Sequence, residues 1–272
     1  MTADDAEFAA LARQIAQTSG FAVGAYKDKC IRRRIAVRMR ACGVHTYDDY
    51  RALLSRSPSE YERLRDALTI NVTRFHRNAE TWNLLRRTVL PALFDHPRVE
   101  VRAWSAGCAS GEEPYTLAVL AADLLDQAGR GGELTRLTID ATDIDRASLD
   151  RARQACYRRE GLTEMPPELT RAYFEDMGDH QRVSDRVRRR VQVCPHDLSH
   201  DAPLRTDYDL ILCRNVVIYF DRYMQERLFQ IFVDSLVPGG YLVLGKVETL
   251  FGPARDRLSL VDPRERVYRR PL

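Results

Sequence analysis

A run of small and acidic residues follows a predicted strand near position 100, and its residue types suit ligand binding. Alternating apolar residues over 99–106 indicate the strand, and residues 115–125 have helical periodicity. Between them, small residues such as Gly107 would let a ligand approach the backbone closely. The turn ends in Glu112 and Glu113, whose carboxylates suit a cationic or hydroxyl-bearing ligand. The alternative, a tight turn with no ligand, stays open on this stretch alone.

Two phosphate-binding signatures are absent from the same turn. It contains no Gly-x-Gly-x-x-Gly and no Gly-Lys-Ser/Thr, so it matches neither the dinucleotide fingerprint nor the phosphate loop. S-adenosylmethionine carries an ammonium, a sulfonium and a ribose diol, all of which an acidic turn can accept. The turn is therefore compatible with S-adenosylmethionine as cofactor.

Polar side chains also follow three later predicted strands, at their carboxyl ends. Asp143 follows the strand 134–141 and is suited to accept hydrogen bonds from a ribose diol, although it could be a simple turn residue. Asp145 is more suited to cap the next helix. Asp197 follows the strand 191–194 and could meet an adenine amino group. Arg214 and Asn215 follow the apolar strand 208–213. Such ends line the ligand crevice in open α/β sheets.

The elements that would position these residues alternate between strand and helix from residue 98 onward. We therefore predict an α/β fold with a mostly parallel, Rossmann-like sheet over 98–272. A small β insertion with a basic surface is predicted at about 175–192. Residues 1–70 have the pattern of an all-α domain, and residues 71–97 have that of a polar segment with a linker helix.

One predicted helix of the N-terminal domain, 26–42, is strongly basic. Ile31, Ile35, Met39 and Cys42 fall on one stripe of this helix. Lys29, Arg33 and Arg40 fall on the opposite face, and the flanks carry Arg32, Arg34 and Arg38. The face is either a solvated surface or a docking surface for an acidic partner, protein or nucleic acid. Charge alone favours the solvated surface.

The composition is that of a globular protein, with a net charge of +3 and no apolar run long enough to span a bilayer. The six cysteines contain no Cys-x-x-Cys pair, so we expect reduced thiols and a cytoplasmic protein. Cys194, His196 and His200 lack a fourth ligand nearby, so no metal site is predicted.

Five segments together resemble one known family. They are NVTRFHR, WSAGCASGEEPYTLA, ATDID, CRNVVIYFD and LVPGGYLVLG, in this order and at matching spacing. The chain resembles the chemotaxis receptor methyltransferases, the CheR family of protein-glutamate O-methyltransferases, over nearly its whole length. This resemblance implies a class I methyltransferase domain over 98–272 and a cofactor-contacting role for the polar segment 71–97. It also implies S-adenosylmethionine as cofactor, S-adenosylhomocysteine as product and the glutamates of the chemoreceptor cytoplasmic methylation region as substrate.

The resemblance also implies roles for individual residues. Arg214 and Tyr219 are expected at the methyl-transfer centre. Lys29, Arg33 and Arg40 are expected to dock the receptor, which raises the docking interpretation above the solvated surface. The expected cofactor contacts are Asn71, Thr73, Arg77, Glu113, Asp143, Asp197, Leu198, Arg214 and Asn215, to which the turn itself adds Gly107.

The chain departs from the family pattern at His76 and at Lys246, and no role is assigned to either residue. Because the β insertion looks shorter than in members that tether a receptor tail peptide, we expect no such tether, and we expect a monomer. Two alternatives remain: a methyltransferase-like module that senses the cofactor and docks a partner, and a methyltransferase acting on a non-chemotaxis acceptor. Nucleic-acid binding is disfavoured because no interleaved aromatic platform is present.

Overall fold

The computed structural model describes residues 3–69 and 71–272, which form two compact units. The described part of the first unit comprises residues 3–69 and 218–225, and the second comprises 71–217 and 226–272. The sequence predicts domain boundaries at 70 and 97, and these boundaries stay a prediction. No helix within the described residues is long and apolar enough to cross a membrane.

The first unit is built on four helices: α1 (Ala3–Ser19), α2 (Asp28–Ala41), α3 (Tyr47–Arg56) and α4 (Pro58–Leu68). Thr46 caps the start of α3, since its hydroxyl accepts a hydrogen bond from the Asp49 amide at 3.1 Å. Three residues of the predicted stripe of α2, Ile31, Ile35 and Met39, are buried, whereas Cys42 is half-buried and lies just beyond the end of the helix. The helix starts at Asp28 and not at residue 26.

The second unit begins with a helical stretch and a strand-helix alternation. Its helices are α5 (Ala79–Leu84), α6 (Leu90–Phe94), α7 (Glu112–Gln127), α8 (Arg146–Gln154), α9 (Pro167–Tyr173), α10 (Asp185–Arg188), α11 (Arg222–Ser235, whose first residues belong to the first unit) and α12 (Pro253–Asp256). Its strands are β1 (Val101–Ala106), β2 (Leu137–Asp143), β3 (Cys156–Arg158), β4 (Phe174–Asp176), β5 (His180–Val183), β6 (Val191–Pro195), β7 (Tyr208–Cys213), β8 (Leu236–Leu244), β9 (Ser259–Asp262) and β10 (Val267–Arg269).

The main sheet has the strand order β6-β2-β1-β7-β8-β10-β9. Strands β6, β2, β1, β7 and β8 are parallel, and β10 and β9 close the sheet in antiparallel fashion. The predicted mostly parallel, Rossmann-like α/β fold is confirmed. Strand order reverses beside β1, where β2 lies on one side and β7 on the other, and ligands bind at such a switch point in open α/β sheets.

Two local predictions were wrong for backbone reasons. The sequence pattern predicts a helix over 146–156, but this helix ends at Gln154, because Ala155 adopts a left-handed conformation (φ 51°) and the chain turns into β3. The Pro-Gly-Gly sequence of residues 238–240 predicts a turn, but these residues lie within β8. Gly239 has φ 81° and the β7–β8 register shifts nearby, so this stretch is an irregularity in a continuous strand.

A second sheet, with the order β3-β5-β4, occupies the region of the predicted insertion. It starts earlier than residue 175, because β3 pairs with β5. The expected basic surface is reduced, since Arg186 forms an ion pair with Asp126 at 2.6 Å and Arg188 one with Asp185 at 2.9 Å. These arginines lie in or beside α10, which was not predicted.

Candidate functional site

The turn after β1 is held tightly against the neighbouring strands. The Gly107 and Cys108 amides both donate to the Thr142 carbonyl, at 2.8 and 2.9 Å. Gly107 has φ 85°, and a Cβ there would lie 2.5 Å from a methyl carbon of Val216. Only glycine can therefore let this turn lie so close to the loop after β7.

Glu113 is the acidic residue of the turn that faces the other strand ends. One carboxylate oxygen accepts a hydrogen bond from the Ser105 hydroxyl at 2.8 Å, and the other lies 3.5 Å from the Arg214 guanidinium. Burial raises the pKa of Glu113, although Arg214 and Ser105 act in the opposite direction. The carboxylate thus pays a desolvation cost that a bound cation would offset.

Glu112 has a different environment from its neighbour. Its carboxylate accepts from the Ser110 hydroxyl at 2.8 Å. Burial raises the pKa of Glu112, while the Ser110 and Thr73 side chains lower it. Thr73, a predicted cofactor contact, therefore lies close to the acidic turn that also contains Glu113.

Asp143 lies at the carboxyl end of β2 and is tied to the same turn. Its two carboxylate oxygens accept from the Ala109 and Asp145 amides, each at 2.9 Å. Burial raises its pKa. Asp145 caps α8, as expected, by accepting from the amides of Ala147 and Ser148. Each Asp143 oxygen retains a lone pair, so the residue can still accept from a diol.

The polar segment that follows residue 70 contributes side chains to this region. The Asn71 amide nitrogen donates to Asp145 at 2.5 Å, so this predicted cofactor contact is anchored beside Asp143. The Arg77 guanidinium donates to the Val72 carbonyl at 2.9 Å, which folds the segment back on itself. His76 is buried, with its amide bonded to the Thr116 hydroxyl at 3.1 Å.

Arg214 is the best-buried cation of the site, with 7% of its surface exposed. It donates to the Arg77 carbonyl at 2.8 Å and to the Asn78 side-chain oxygen at 3.2 Å. Its guanidinium lies 5.1 Å from the centre of the Trp82 ring. Burial lowers its pKa, against the effect of Glu113, but an arginine remains charged. The Arg214 Nε atom has no hydrogen-bond partner among the described residues.

Asn215 follows in a left-handed conformation, with φ 61°. Its amide donates at 2.9 Å to Glu248, a carboxylate that the sequence did not mark as functional. Asp197 accepts from the amide and the hydroxyl of Ser199, and Leu198 between them is buried. The His196 amide donates to the Asp143 carbonyl at 3.0 Å, which joins the ends of β6 and β2.

The structure therefore brings together the predicted residues of the second unit at the carboxyl ends of β1, β2, β6 and β7. Ser105, Asn78, Trp82 and Glu248 were missed. A position at or just after the carboxyl end of a strand, the signal that identified the other residues, could also have identified Ser105 and Glu248. Within residues 3–69 and 71–272, no group of His, Cys, Asp and Glu side chains is suited to hold a metal ion.

Tyr219 belongs to the first unit. Its carbonyl accepts a hydrogen bond from the Lys27 amide at 2.9 Å, at the residue that precedes α2. The Arg34 guanidinium lies 5.8 Å from the centre of its ring. The tyrosine is thus fixed to the start of the basic helix at the level of the backbone.

The cations of α2 fall into two groups. Arg32 pairs with Asp4, Asp5 and Asp28, and Arg38 pairs with the buried Glu60 at 2.6 Å. Arg34 donates to carbonyls at the end of α4. Lys29, Arg33 and Arg40 are exposed, and no residue in the described part of the chain forms an ion pair with them. The predicted docking face therefore consists of the three cations of α2 for which the described residues provide no ion pair.

Comparison with known proteins identifies the family to which this chain belongs. A model of the CheR methyltransferase S-adenosylmethionine-binding domain matches residues 71–267, and a model of the CheR methyltransferase all-alpha domain matches residues 6–69. The chain belongs to the CheR methyltransferase family. The resemblance seen in the sequence is thereby confirmed, as is the assignment to S-adenosylmethionine-dependent methyltransferases.

Several chemotaxis protein methyltransferases match this chain over most of both lengths. The chemotaxis protein methyltransferase of Klebsiella aerogenes is 34% identical over 262 residues, which are 93% of this chain and 86% of that protein. Chemotaxis protein methyltransferase 1 of Vibrio cholerae is 32% identical over 96% of this chain and 95% of its own length. The Escherichia coli chemotaxis protein methyltransferase is 32% identical over 94% and 88%.

The residues at the strand ends fit S-adenosylmethionine. The cofactor carries two positive groups and one carboxylate, so it brings a net positive charge into the site. Glu113 and Asp143 oppose the buried cation Arg214, so the described residues of the site have a carboxylate excess that such a ligand would offset. The CheR methyltransferase therefore uses S-adenosylmethionine as methyl donor in chemotaxis, while the roles of single residues stay predictions.

Proposed function

We propose that this CheR methyltransferase esterifies glutamate side chains in the cytoplasmic methylation region of chemoreceptors. The observation that carries the proposal is the exposed face of Lys29, Arg33 and Arg40, left without ion pairs by the described part of a fold that uses the other arginines of α2. Such a face suits an acidic macromolecule better than a small acceptor.

The chemistry needs no general base. A glutamate has a reference pKa of about 4.3 and is ionised at neutral pH, so its oxygen is already a nucleophile. The sulfonium of S-adenosylmethionine supplies an activated methyl group. The carboxylate oxygen forms a bond to the methyl carbon as the carbon–sulfur bond breaks, and the electron pair stays on sulfur. The products are a glutamate methyl ester and S-adenosylhomocysteine.

The tasks of the protein are then to desolvate the carboxylate and hold it in line. In this proposal Arg214 orients the incoming carboxylate and Tyr219 positions the reacting end of the cofactor. Glu113 supplies negative charge for the cationic cofactor, and Asp143 accepts from the ribose hydroxyls. The other proposed cofactor contacts are Asn71, Thr73, Arg77, Gly107, Asp197, Leu198 and Asn215.

Transfer of a labelled methyl group from S-adenosylmethionine to a purified receptor cytoplasmic fragment tests the proposal. The control is the same fragment with its methylation-region glutamates changed to alanine. Alkali-labile label that disappears in the control is the expected result, because a methyl ester hydrolyses in alkali. Absence of label, while the cofactor still binds tightly, would contradict the proposal and favour a cofactor-sensing module or another acceptor.

We also propose that the enzyme acts as a monomer and engages receptors without a tail-peptide tether. The support for the second point is the compact three-stranded sheet β3-β5-β4, whose neighbouring arginines Arg186 and Arg188 are paired within the fold. Calorimetry with receptor tail peptides is expected to show no binding. Micromolar binding would contradict the absence of a tether.

A further inference from the structure

Glu248 is a buried carboxylate that neither the sequence motifs nor the methyl-transfer chemistry uses. It is 2% exposed and lies in the loop after β8. Buried carboxylates are costly unless their oxygens are fully hydrogen-bonded. The hydrogen bonds of Glu248 therefore indicate what this buried carboxylate does in the fold.

Three backbone amides from two loops donate to this carboxylate. One oxygen accepts from Asn215 at 2.9 Å and from Gly245 at 2.5 Å, and the other accepts from Val216 at 2.9 Å. Charge-assisted bonds of this kind are about twice as strong as neutral ones. Glu248 thus fastens the loop after β7 to the loop after β8, at the carboxyl ends of two paired parallel strands.

The loop that Glu248 fastens is strained and closely packed. Asn215 has φ 61°, a conformation that side-chain-bearing residues rarely adopt. A Cβ at Gly245 would lie 2.7 Å from the Glu248 carboxylate and 2.8 Å from the Asn215 amide nitrogen. The glycine allows the approach, and the carboxylate holds the strained amide in place.

We propose that Glu248 is a positioning residue that sets the backbone of Arg214, Asn215 and Val216 for S-adenosylmethionine. Glu248 acts through its hydrogen bonds to backbone amides and not through electrostatic attraction between its carboxylate and the ligand. Gly107 would clash with Val216 if it carried a Cβ, so the loop that Glu248 holds also forms a wall of the turn after β1. The proposal rests on the proposed assignment of Arg214 and Asn215 to the cofactor site.

The first test is amide hydrogen exchange of the ligand-free protein. The amides of Asn215, Val216 and Gly245 are expected to be protected in the wild type, and rapid exchange at all three would overturn the proposal without any variant. Glu248→Gln should abolish part of this protection, because an amide nitrogen cannot accept a hydrogen bond. Asp262→Asn is the matched control, since Asp262 also accepts from two backbone amides, those of Arg264 and Glu265, in the turn before β10.

The second test is calorimetric binding of both S-adenosylmethionine and S-adenosylhomocysteine. Glu248→Gln and Glu248→Asp should each raise the Kd of both ligands by about tenfold or more, since a tenfold change corresponds to about 1.4 kcal/mol, the scale of one charge-assisted bond. A loss confined to S-adenosylmethionine would mean a charge effect on the sulfonium and would overturn the positioning role. Unchanged affinities in both variants would also overturn it.

Asn215→Ala separates this proposal from the site assignment on which it rests. If Asn215→Ala and the Glu248 variants all leave both affinities unchanged, the assignment of the β7 loop to the cofactor site fails. If Asn215→Ala weakens binding and the Glu248 variants do not, only the positioning role fails.

Discussion

Charge is buried in the methyltransferase unit and exposed on helix α2 of the helical unit. Arg214 and Glu248 are buried in the loops after β7 and β8, and Glu113, at the start of α7, has 13% of its side chain exposed. Each of the three is partnered by backbone or side-chain groups. Lys29, Arg33 and Arg40 lie in solvent. A buried charge is costly, depends on geometry and suits one small ligand, whereas an exposed face acts collectively and is screened by salt. The following predictions test that contrast.

The largest effect on methyl transfer is expected from a substitution of Arg214 that changes the geometry of its contacts but keeps its charge. Arg214→Lys keeps the cation but cannot reproduce the planar contacts to the Arg77 carbonyl and the Asn78 side chain. We expect kcat/KM for methyl transfer to fall about a hundredfold, the scale of losing one oriented electrostatic group. Arg257→Lys, at an exposed ion pair with Asp234, is the control and should change little. A loss of less than threefold in Arg214→Lys would show that charge alone suffices.

The second effect concerns stability in the helical unit, where one arginine of α2 is used inside the fold. Glu60 is buried and accepts from Arg38 at 2.6 and 2.9 Å and from the Tyr50 hydroxyl at 2.9 Å. Glu60→Gln should lower the free energy of unfolding by about 3 kcal/mol, because it leaves Arg38 without its counter-ion. Denaturant unfolding measures this.

Glu62→Gln on the same helix is the matched control for Glu60→Gln. Glu62 is exposed and pairs with Arg65 one turn away, so its loss should cost about 0.5 kcal/mol or less. Equal effects in the two variants would mean that burial does not distinguish these ion pairs.

Substitution of Tyr219 tests whether the helical unit contributes to turnover as well as to docking. Tyr219→Phe keeps the backbone bond to Lys27 and removes only the hydroxyl. We expect kcat to fall about tenfold while the Kd of S-adenosylmethionine stays within twofold, as for a group that acts in the transition state. Tyr223→Phe, at a 78% exposed tyrosine, is the control. Equal losses in kcat and in cofactor affinity would count against this role.

The pH dependence of S-adenosylmethionine binding tests the role of the Glu113 carboxylate. Burial raises its pKa, so the carboxylate takes up a proton at a higher pH than an exposed glutamate would. Its attraction for a cationic cofactor is present above that pKa and is lost as the pH falls through it. Calorimetry from pH 7.5 to 5 should therefore show weaker S-adenosylmethionine binding at low pH.

Glu113→Gln should bind the cofactor more weakly at neutral pH and should flatten this pH profile. Glu133→Gln is the control, because Glu133 is a carboxylate whose pKa its Arg130 partner lowers to about 2. Glu133 therefore does not titrate between pH 5 and 7.5. An unchanged profile in Glu113→Gln would assign the pH dependence to another group, such as Asp143.

The sequence predicted features that depend on local pattern and strand ends. The parallel sheet, the turn at Gly107 and the helix cap at Asp145 all follow from periodicity and residue type over a few neighbours. The partners of Arg34 and Arg38 could not be predicted, because they lie on α4, more than 20 residues away in the chain. Helical periodicity placed both arginines on the flanks of α2 but could not separate fold-stabilising cations from free ones.

Backbone conformation explains most of the remaining errors. Ala155 and Asn215 adopt left-handed conformations that their residue types do not require, so neither the end of α8 nor the loop after β7 could be foreseen. Glu248 was missed for the same reason, since its function is to hold amides that become available only in that loop. Contacts between two loops are a property of the assembled sheet and not of either segment.

The smallest effect per residue is expected on the exposed face of α2. Changing Lys29, Arg33 and Arg40 together to glutamine should raise KM for a receptor fragment about tenfold at low salt, because each exposed charge adds a modest long-range attraction. The difference from wild type should shrink as salt rises, since the Debye length falls from about 30 Å at 0.01 M to about 10 Å at 0.1 M. S-adenosylmethionine affinity should not change.

The control for this triple variant removes the same type of charge elsewhere on the helical unit. Arg13, Arg56 and Arg63 are exposed and lie on α1, α3 and α4. Their joint change to glutamine alters net charge equally, so a docking face predicts a much smaller rise in KM for this set. Equal rises in the two triple variants would mean that the net charge of the unit attracts the receptor, and that α2 presents no specific surface.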